Sequence, residues 1–128
     1  MPDTPLAKKL FIKPGMRLLI LNAPEGYRSL LGELHAEPES TPGQAGTFDW
    51  VQMFAKNLTE LEQASPAAQT AVKPGGTLWI SFPKKTSKLA SDIGRDSAWN
   101  LMGEKGWQGT TNIAIDETWS AMRFKLLQ

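Results

Sequence analysis

Met16-Arg17-Leu18-Leu19-Ile20-Leu21-Asn22-Ala23-Pro24-Glu25-Gly26-Tyr27 is the stretch that decides the fold. From Met16 to Leu21 only Arg17 is polar, so a strand here carries apolar side chains on both faces. A strand buried on both faces is covered by helices on both sides, which predicts a parallel, central strand. Asn22 can cap the next helix, Pro24 suits its first turn, and Tyr27, Leu30, Leu31 and Leu34 recur at helical spacing. In an open α/β sheet the turn at the carboxyl end of such a strand is where a ligand binds.

Upstream, Pro5 to Ile12 reads as a short amphipathic turn or helix, with Leu6, Leu10 and Phe11 apolar, stopped by Lys13-Pro14-Gly15. Downstream, His35 to Gly46 shifts to Glu, Pro, Ser, Thr and Gly and is expected to be a loop with at most one short edge strand. Phe48 to Ala55 is the second strand, rich in aromatic residues. Asn57 followed three residues later by Glu60 makes a helix-capping signature, and Leu61, Ala64, Ala68 and Ala71 continue one helical face. Pro66 inside that face predicts a kink or a break. Lys73-Pro74-Gly75-Gly76 ends the helix, and Thr77 to Phe82 forms a third strand, again apolar on both faces.

Lys84 to Ser91 is a polar loop with Lys84, Lys85 and Lys88, after which Asp92 caps a helix containing Ala98, Trp99, Leu101 and Met102 and ending at Gly106. A fourth strand is expected at about Thr110 to Ile115 and a fifth from Trp119 to Leu126. The turn at Asp116-Glu117-Thr118 is too short for a parallel crossover, so the fifth strand must run antiparallel. The expected architecture is a single three-layer α/β domain over residues 1–128. Its sheet has about five strands, mostly parallel, closed by a C-terminal antiparallel hairpin.

Composition narrows the function classes. With 14 basic and 13 acidic residues the net charge is +1, so no general field exists to draw in nucleic acid or an anionic membrane, and neither is expected as a partner. There is no cysteine, hence no disulfide framework, thiolate nucleophile or Cys-ligated metal. No apolar run approaches the roughly 20 residues that span a bilayer, and Met1 to Lys9 lacks the apolar core of a signal peptide. A cytoplasmic protein is expected.

Two turns carry the candidate site. In the first, Asn22, Glu25 and Tyr27 can line a pocket, or serve the helix as cap, dipole partner and packing residue. In the second, Phe82 leads into Lys84 and Lys85, and Arg95 stands on the following helix. Here the carboxyl end of a strand meets a helix amino terminus, an arrangement that favours an anion. The alternative is a solvated lysine loop. Asp116 and Glu117 can act as paired carboxylates or merely bond the turn. His35 lies in the loop with no nucleophile motif beside it. Trp50 and Trp79 belong to strands and to the core, whereas Trp99, Trp107 and Trp119 can serve a stacking or protein-binding surface.

Val72 to Ser81, with Lys-Pro-Gly-Gly before a strand, and Glu104-Lys105-Gly106-Trp107 resemble the later part of the Rossmann-like methyltransferase fold. A closer resemblance, to an uncharacterised family of small bacterial Rossmann-like proteins, rests on five stretches. They are Ile12 to Arg17, Asn22 to Tyr27, Phe82-Pro83-Lys84, Arg95-Asp96 with Trp99, and Ala114 to Phe124. It implies the fold and brings no catalytic residues. Methyltransferases of this fold hold S-adenosylmethionine with a glycine-rich turn after the first strand and an acid at the end of the second. Here the turn has one glycine and one proline, so that cofactor is disfavoured and none is expected. The expected function is a non-catalytic module that binds a small anionic ligand or a protein partner, with assembly into a homo-oligomer through the last strands as one form of it. The alternative is an enzyme with a reduced methyltransferase-like or phospho-metabolite site.

Overall fold

The computed structural model describes residues 9–13, 15–23, 26–27, 38–39, 46–84, 95–104, 106–115 and 118–126. Among these residues five strands and two helices follow one another: β1 (Leu18–Leu21), β2 (Phe48–Phe54), α1 (Leu58–Ala71), β3 (Val72–Pro83), α2 (Arg95–Glu104), β4 (Trp107–Ala114) and β5 (Trp119–Leu126). The strands lie side by side in the order β1-β2-β3-β5-β4. β1 pairs with β2 and β2 with β3 in parallel, whereas β5 runs antiparallel to both β3 and β4. The sheet is therefore mixed, a correction to the mostly parallel sheet expected from the sequence. The physical reason is insertion: the last strand enters between β3 and β4, so the hairpin contributes two antiparallel ladders to the sheet's interior.

β1 fulfils the expectation of a strand covered on both faces. Leu19 and Leu21 join one buried cluster with Val51, Met53, Leu78 and Ile80, and Leu18 and Ile20 join the other with Trp50, Phe54 and Trp79. Its central placement is not what the described residues show. Among the described residues β1 ends the strand order, and its outer edge holds a parallel bridge between Leu19 and Glu39, with Ile20 N donating to Glu39 O at 2.8 Å. Glu39 falls within the stretch expected to be a loop with one edge strand; residues 40–45 and the expected helix from Tyr27 to Leu34 lie outside the described residues, apart from Tyr27 itself.

α1 starts where its capping signature places it. Asn57 Oδ1 accepts the Glu60 N–H at 2.9 Å, and the Glu60 carboxylate returns to accept the Lys56 N–H at 2.9 Å. A cap of this kind contributes about 1 kcal/mol. Leu61, Ser65, Ala68 and Ala71 are buried against the sheet. The kink or break expected at Pro66 does not occur, and the helix is continuous from Leu58 to Ala71. Pro66 and Glu62 are both exposed, so the Glu62 carbonyl that loses its partner faces water.

β3 begins five residues earlier than Thr77. Val72 already pairs with Phe48, and the register then jumps so that Thr77 pairs with Trp50. Lys73 to Gly76 form the excursion between these two pairings, and backbone packs tightly round its last glycine. A Cβ on Gly76 would stand 2.9 Å from the Asp49 carbonyl oxygen and 3.0 Å from that of Lys73. The excursion also brings the Lys73 ammonium to the Asp49 carboxylate, which accepts the Arg17 backbone N–H at 2.8 Å. Arg17 continues to Glu39 at 2.6 and 3.0 Å and lies over the Phe48 ring at 4.4 Å. These charges tie together the amino-terminal ends of the parallel strands, the edge opposite the site.

Trp107 and Trp119, at opposite ends of the antiparallel hairpin, are buried, whereas Trp99 of α2 stays exposed and lies close over Gly109. β4 starts at Trp107 rather than near Thr110, and β5 keeps its expected bounds. Among the described residues, no helix is long and apolar enough to cross a membrane.

Candidate functional site

A cleft of about 620 Å³ opens at the carboxyl ends of β1 and β2. Asn22 and Ala23, the first residues after β1, form one wall; Lys56, Glu60, Gln63 and Ala64, from the start of α1, form the other. Phe54 and Trp119 form an aromatic floor, their rings edge to face at 5.1 Å. The volume falls within the roughly 300–1,000 Å³ of small-molecule sites. Its place, outside the carboxyl ends of parallel strands, is where open α/β sheets bind ligands.

Local chemistry fixes each wall. Asn22 has φ 59, the left-handed conformation that asparagine tolerates better than most residues, and Gly26 follows with φ 84. These two residues turn the chain sharply after β1. On the opposite wall the Asn57 and Glu60 cap holds the first turn of α1, and the Glu60 carboxylate is occupied by the Lys56 backbone N–H. Trp119 reaches the cleft because β5 is antiparallel. Its first residue pairs with Pro83, and Lys84 N donates to Thr118 O at 2.8 Å beside it.

Beneath the floor runs a buried polar chain that the sequence did not reveal. The Tyr27 hydroxyl donates to Gln52 Oε1 at 2.6 Å, and Gln52 Nε2 donates to Ser81 Oγ at 2.9 Å. Gln52 and Ser81 are fully buried, and the Tyr27 ring meets Phe54 edge to face at 4.6 Å. The turn that carries Asn22 is thereby tied to β2 and β3.

The described residues of the two turns expected to carry the site take different places. Asn22 lines the cleft, and Tyr27 is buried below it and supports the floor. Phe82 is a core residue, 5% exposed, in the cluster on the α1 side of the sheet. Lys84 is half-buried next to Thr118. Glu25 and Lys85 lie outside the described residues, as do Lys88, Asp92, Asp116 and Glu117; Arg95 begins α2, with its side chain not described. The sequence reading does not single out Phe54, Lys56, Glu60 or Gln63, and it names Trp119 only as part of a stacking or protein-binding surface. A signal was present: the second strand runs into a helix-capping signature, so the rule used for the turn after the first strand, applied to Phe54–Asn57, points to this wall. Among the described residues, no group of three His, Cys, Asp or Glu is placed to hold a metal ion.

No family model matches the chain, and no curated protein matches it. Solved structures do. A SAM-dependent methyltransferase from Aquifex aeolicus aligns over 95% of this chain and 88% of its own, with a TM-score of 0.60 and 15% identity. A protein of the NADB-Rossmann superfamily from Streptococcus agalactiae aligns over 100% and 70%, with a TM-score of 0.54 and 12% identity. The 16S rRNA (adenine(1408)-N(1))-methyltransferase from Catenulisporales acidiphilia, a W203A mutant with cosubstrate SAM, aligns over 100% and 93%, with a TM-score of 0.52 and 14% identity. At such identities the likeness concerns backbone architecture alone, and with the strand order above it establishes an α/β, Rossmann-like methyltransferase fold.

Proposed function

We propose that this chain is a small-molecule-binding module whose ligand occupies the cleft between Asn22 and Lys56, with a planar part against Phe54 and Trp119 and an anionic part toward Lys56. The observation that carries this reading is the joining of an aromatic floor to polar walls at the carboxyl edge of β1 and β2. The Lys84 backbone is held to Thr118, the residue before Trp119, and a lysine at this position favours a ligand with negative charge. Membership of the uncharacterised small bacterial Rossmann-like family is part of the same reading, on the motif residues named above.

A second reading, a methyltransferase-like enzyme using S-adenosylmethionine, draws support from the neighbours described as SAM-dependent or bound to SAM. The described residues fit that cofactor poorly. The acid alongside β1, Glu39, is held by Arg17 at 2.6 Å, and the carboxylate in the cleft, Glu60, is engaged by its own helix start. Neither of these two carboxylates is then free to hold the ribose hydroxyls in the usual way.

Thermal-shift and calorimetric titrations with adenosine 5′-phosphate, adenosine, inorganic phosphate, S-adenosylmethionine and S-adenosylhomocysteine test both readings. The expected result is a shift of several degrees with adenosine 5′-phosphate that Lys56→Gln and Trp119→Ala each reduce. A shift with S-adenosylmethionine that survives Lys56→Gln favours the second reading. A flat response to all five probes overturns both.

A further inference from the structure

The sheet face opposite α1 is closed in part by the segment Lys9–Ile12, and the way it is held is unusual. Leu10 is fully buried, and its carbonyl oxygen accepts two indole N–H groups, from Trp50 at 2.8 Å and from Trp79 at 2.9 Å. The two tryptophans stand on neighbouring strands, and an indole has one donor and no acceptor, so a single oxygen satisfies both. The next residue, Phe11, has φ 63, a left-handed conformation that bulky side chains rarely adopt. Its ring lies against Trp79 at 5.9 Å, and the Arg123 guanidinium covers it at 4.9 Å. Phe11 is nevertheless 38% exposed, and Gly15, with φ 90, turns the chain between this segment and β1. Contacts hold the segment down while its own backbone resists.

The same buried cluster contains Leu10, Trp50, Trp79, Phe54 and Trp119, and the last two form the cleft floor. We propose that Lys9–Ile12 is a strained latch that opens as a unit before the sheet does, and that its release uncovers the Trp50 and Trp79 indoles on this face of the sheet. Opening relieves the Phe11 conformation and frees two indole donors at once, because both depend on one carbonyl. This holds whatever ligand the cleft takes.

Hydrogen exchange of the indole N–H groups, followed by NMR on the full chain, tests the latch. The indoles of Trp50 and Trp79 are expected to share one protection factor, at least about tenfold below that of the Val51 and Leu78 backbone amides in the central ladders. Trp79→Phe, which deletes one of the two donors, is expected to speed exchange at the Trp50 indole. The Val51 amide should change no more than global stability does. If that variant fails to fold, Arg123→Gln removes the cover over Phe11 and is expected to speed both indoles equally. Unequal protection of the two indoles, or protection equal to that of Val51 and Leu78, overturns the proposal, since opening would then be piecemeal or require unfolding of the sheet.

Discussion

Deleting the Tyr27 hydroxyl asks whether the cleft's turn is tied energetically to the sheet. Tyr27→Phe keeps the ring against Phe54 and removes the O–H that donates to Gln52 Oε1 at 2.6 Å. Gln52 is fully buried among aromatic side chains, so water cannot replace that donor. Leaving a buried acceptor without its partner costs about 1–3 kcal/mol. Unfolding entropy of roughly 2.1 cal/mol/K per residue over 128 residues makes each kcal/mol worth about 4 °C, so Tm should fall by about 4–11 °C. Gln52→Leu removes the amide and also strips Ser81 Oγ of its donor. In the double variant the lost Tyr27 bond is counted once, so the combined loss should fall short of the sum by about 1 kcal/mol. Urea unfolding of the wild type, the two single variants and the double variant, followed by tryptophan fluorescence, measures the cycle. Additivity within about 0.5 kcal/mol, or a wild-type midpoint for Tyr27→Phe, refutes the reasoning.

Three further outcomes can be checked by the same denaturation assay. Gly76→Ala places a Cβ 2.7 Å from Val72 Cγ2 and 2.9 Å from the Asp49 carbonyl oxygen, and should destabilise the protein by about 1–3 kcal/mol; an unchanged midpoint would show that the excursion in β3 yields freely. Ser65→Ala should stabilise by about 1 kcal/mol, because the Ser65 hydroxyl is buried without a hydrogen-bond partner and alanine is the better helix former; a lower midpoint contradicts this. The Arg17 N–H and then the Lys73 ammonium hold the Asp49 carboxyl below its ordinary range, and Arg17 does the same for Glu39. A depressed carboxyl contributes stability that is present above the ordinary value near pH 4 and is lost as pH falls further, so Asp49→Asn should flatten the acid limb of a stability–pH profile.

The sequence carried those parts of the fold that depend on local period and caps. The unbroken Leu18–Leu21 run dictates two buried faces, Asn57 with Glu60 marks the start of α1, and the short link before Trp119 forces an antiparallel strand. Strand order is not a local property. Nothing near Trp119 says that β5 lies between β3 and β4, so neither the mixed sheet nor the arrival of Trp119 at the cleft could be read beforehand. Gln52 illustrates the same limit. An amide in an aromatic strand looks like a surface residue until Tyr27 and Ser81 are brought to it from 25 and 29 residues away. For Phe82, an apolar residue at a strand's end, the period was right, but its face was set by which side α1 covers.

The insertion of β5 also governs how the sheet can be completed. During synthesis β3 is made before β4, and β3 can pair only with β2, and β4 with no strand, until Trp119–Leu126 has emerged. Until then the Leu78–Pro83 edge, which carries Trp79, Ile80 and Phe82, is an open template for any strand that meets it. Closure joins residues such as Leu78 and Phe124 across a long loop, a step that is slow for entropic reasons and all-or-none in effect. A nascent or clipped chain lacking this one strand would be prone to stray pairing, and its rescue would require only that the missing strand be supplied, from the same chain or as a separate peptide.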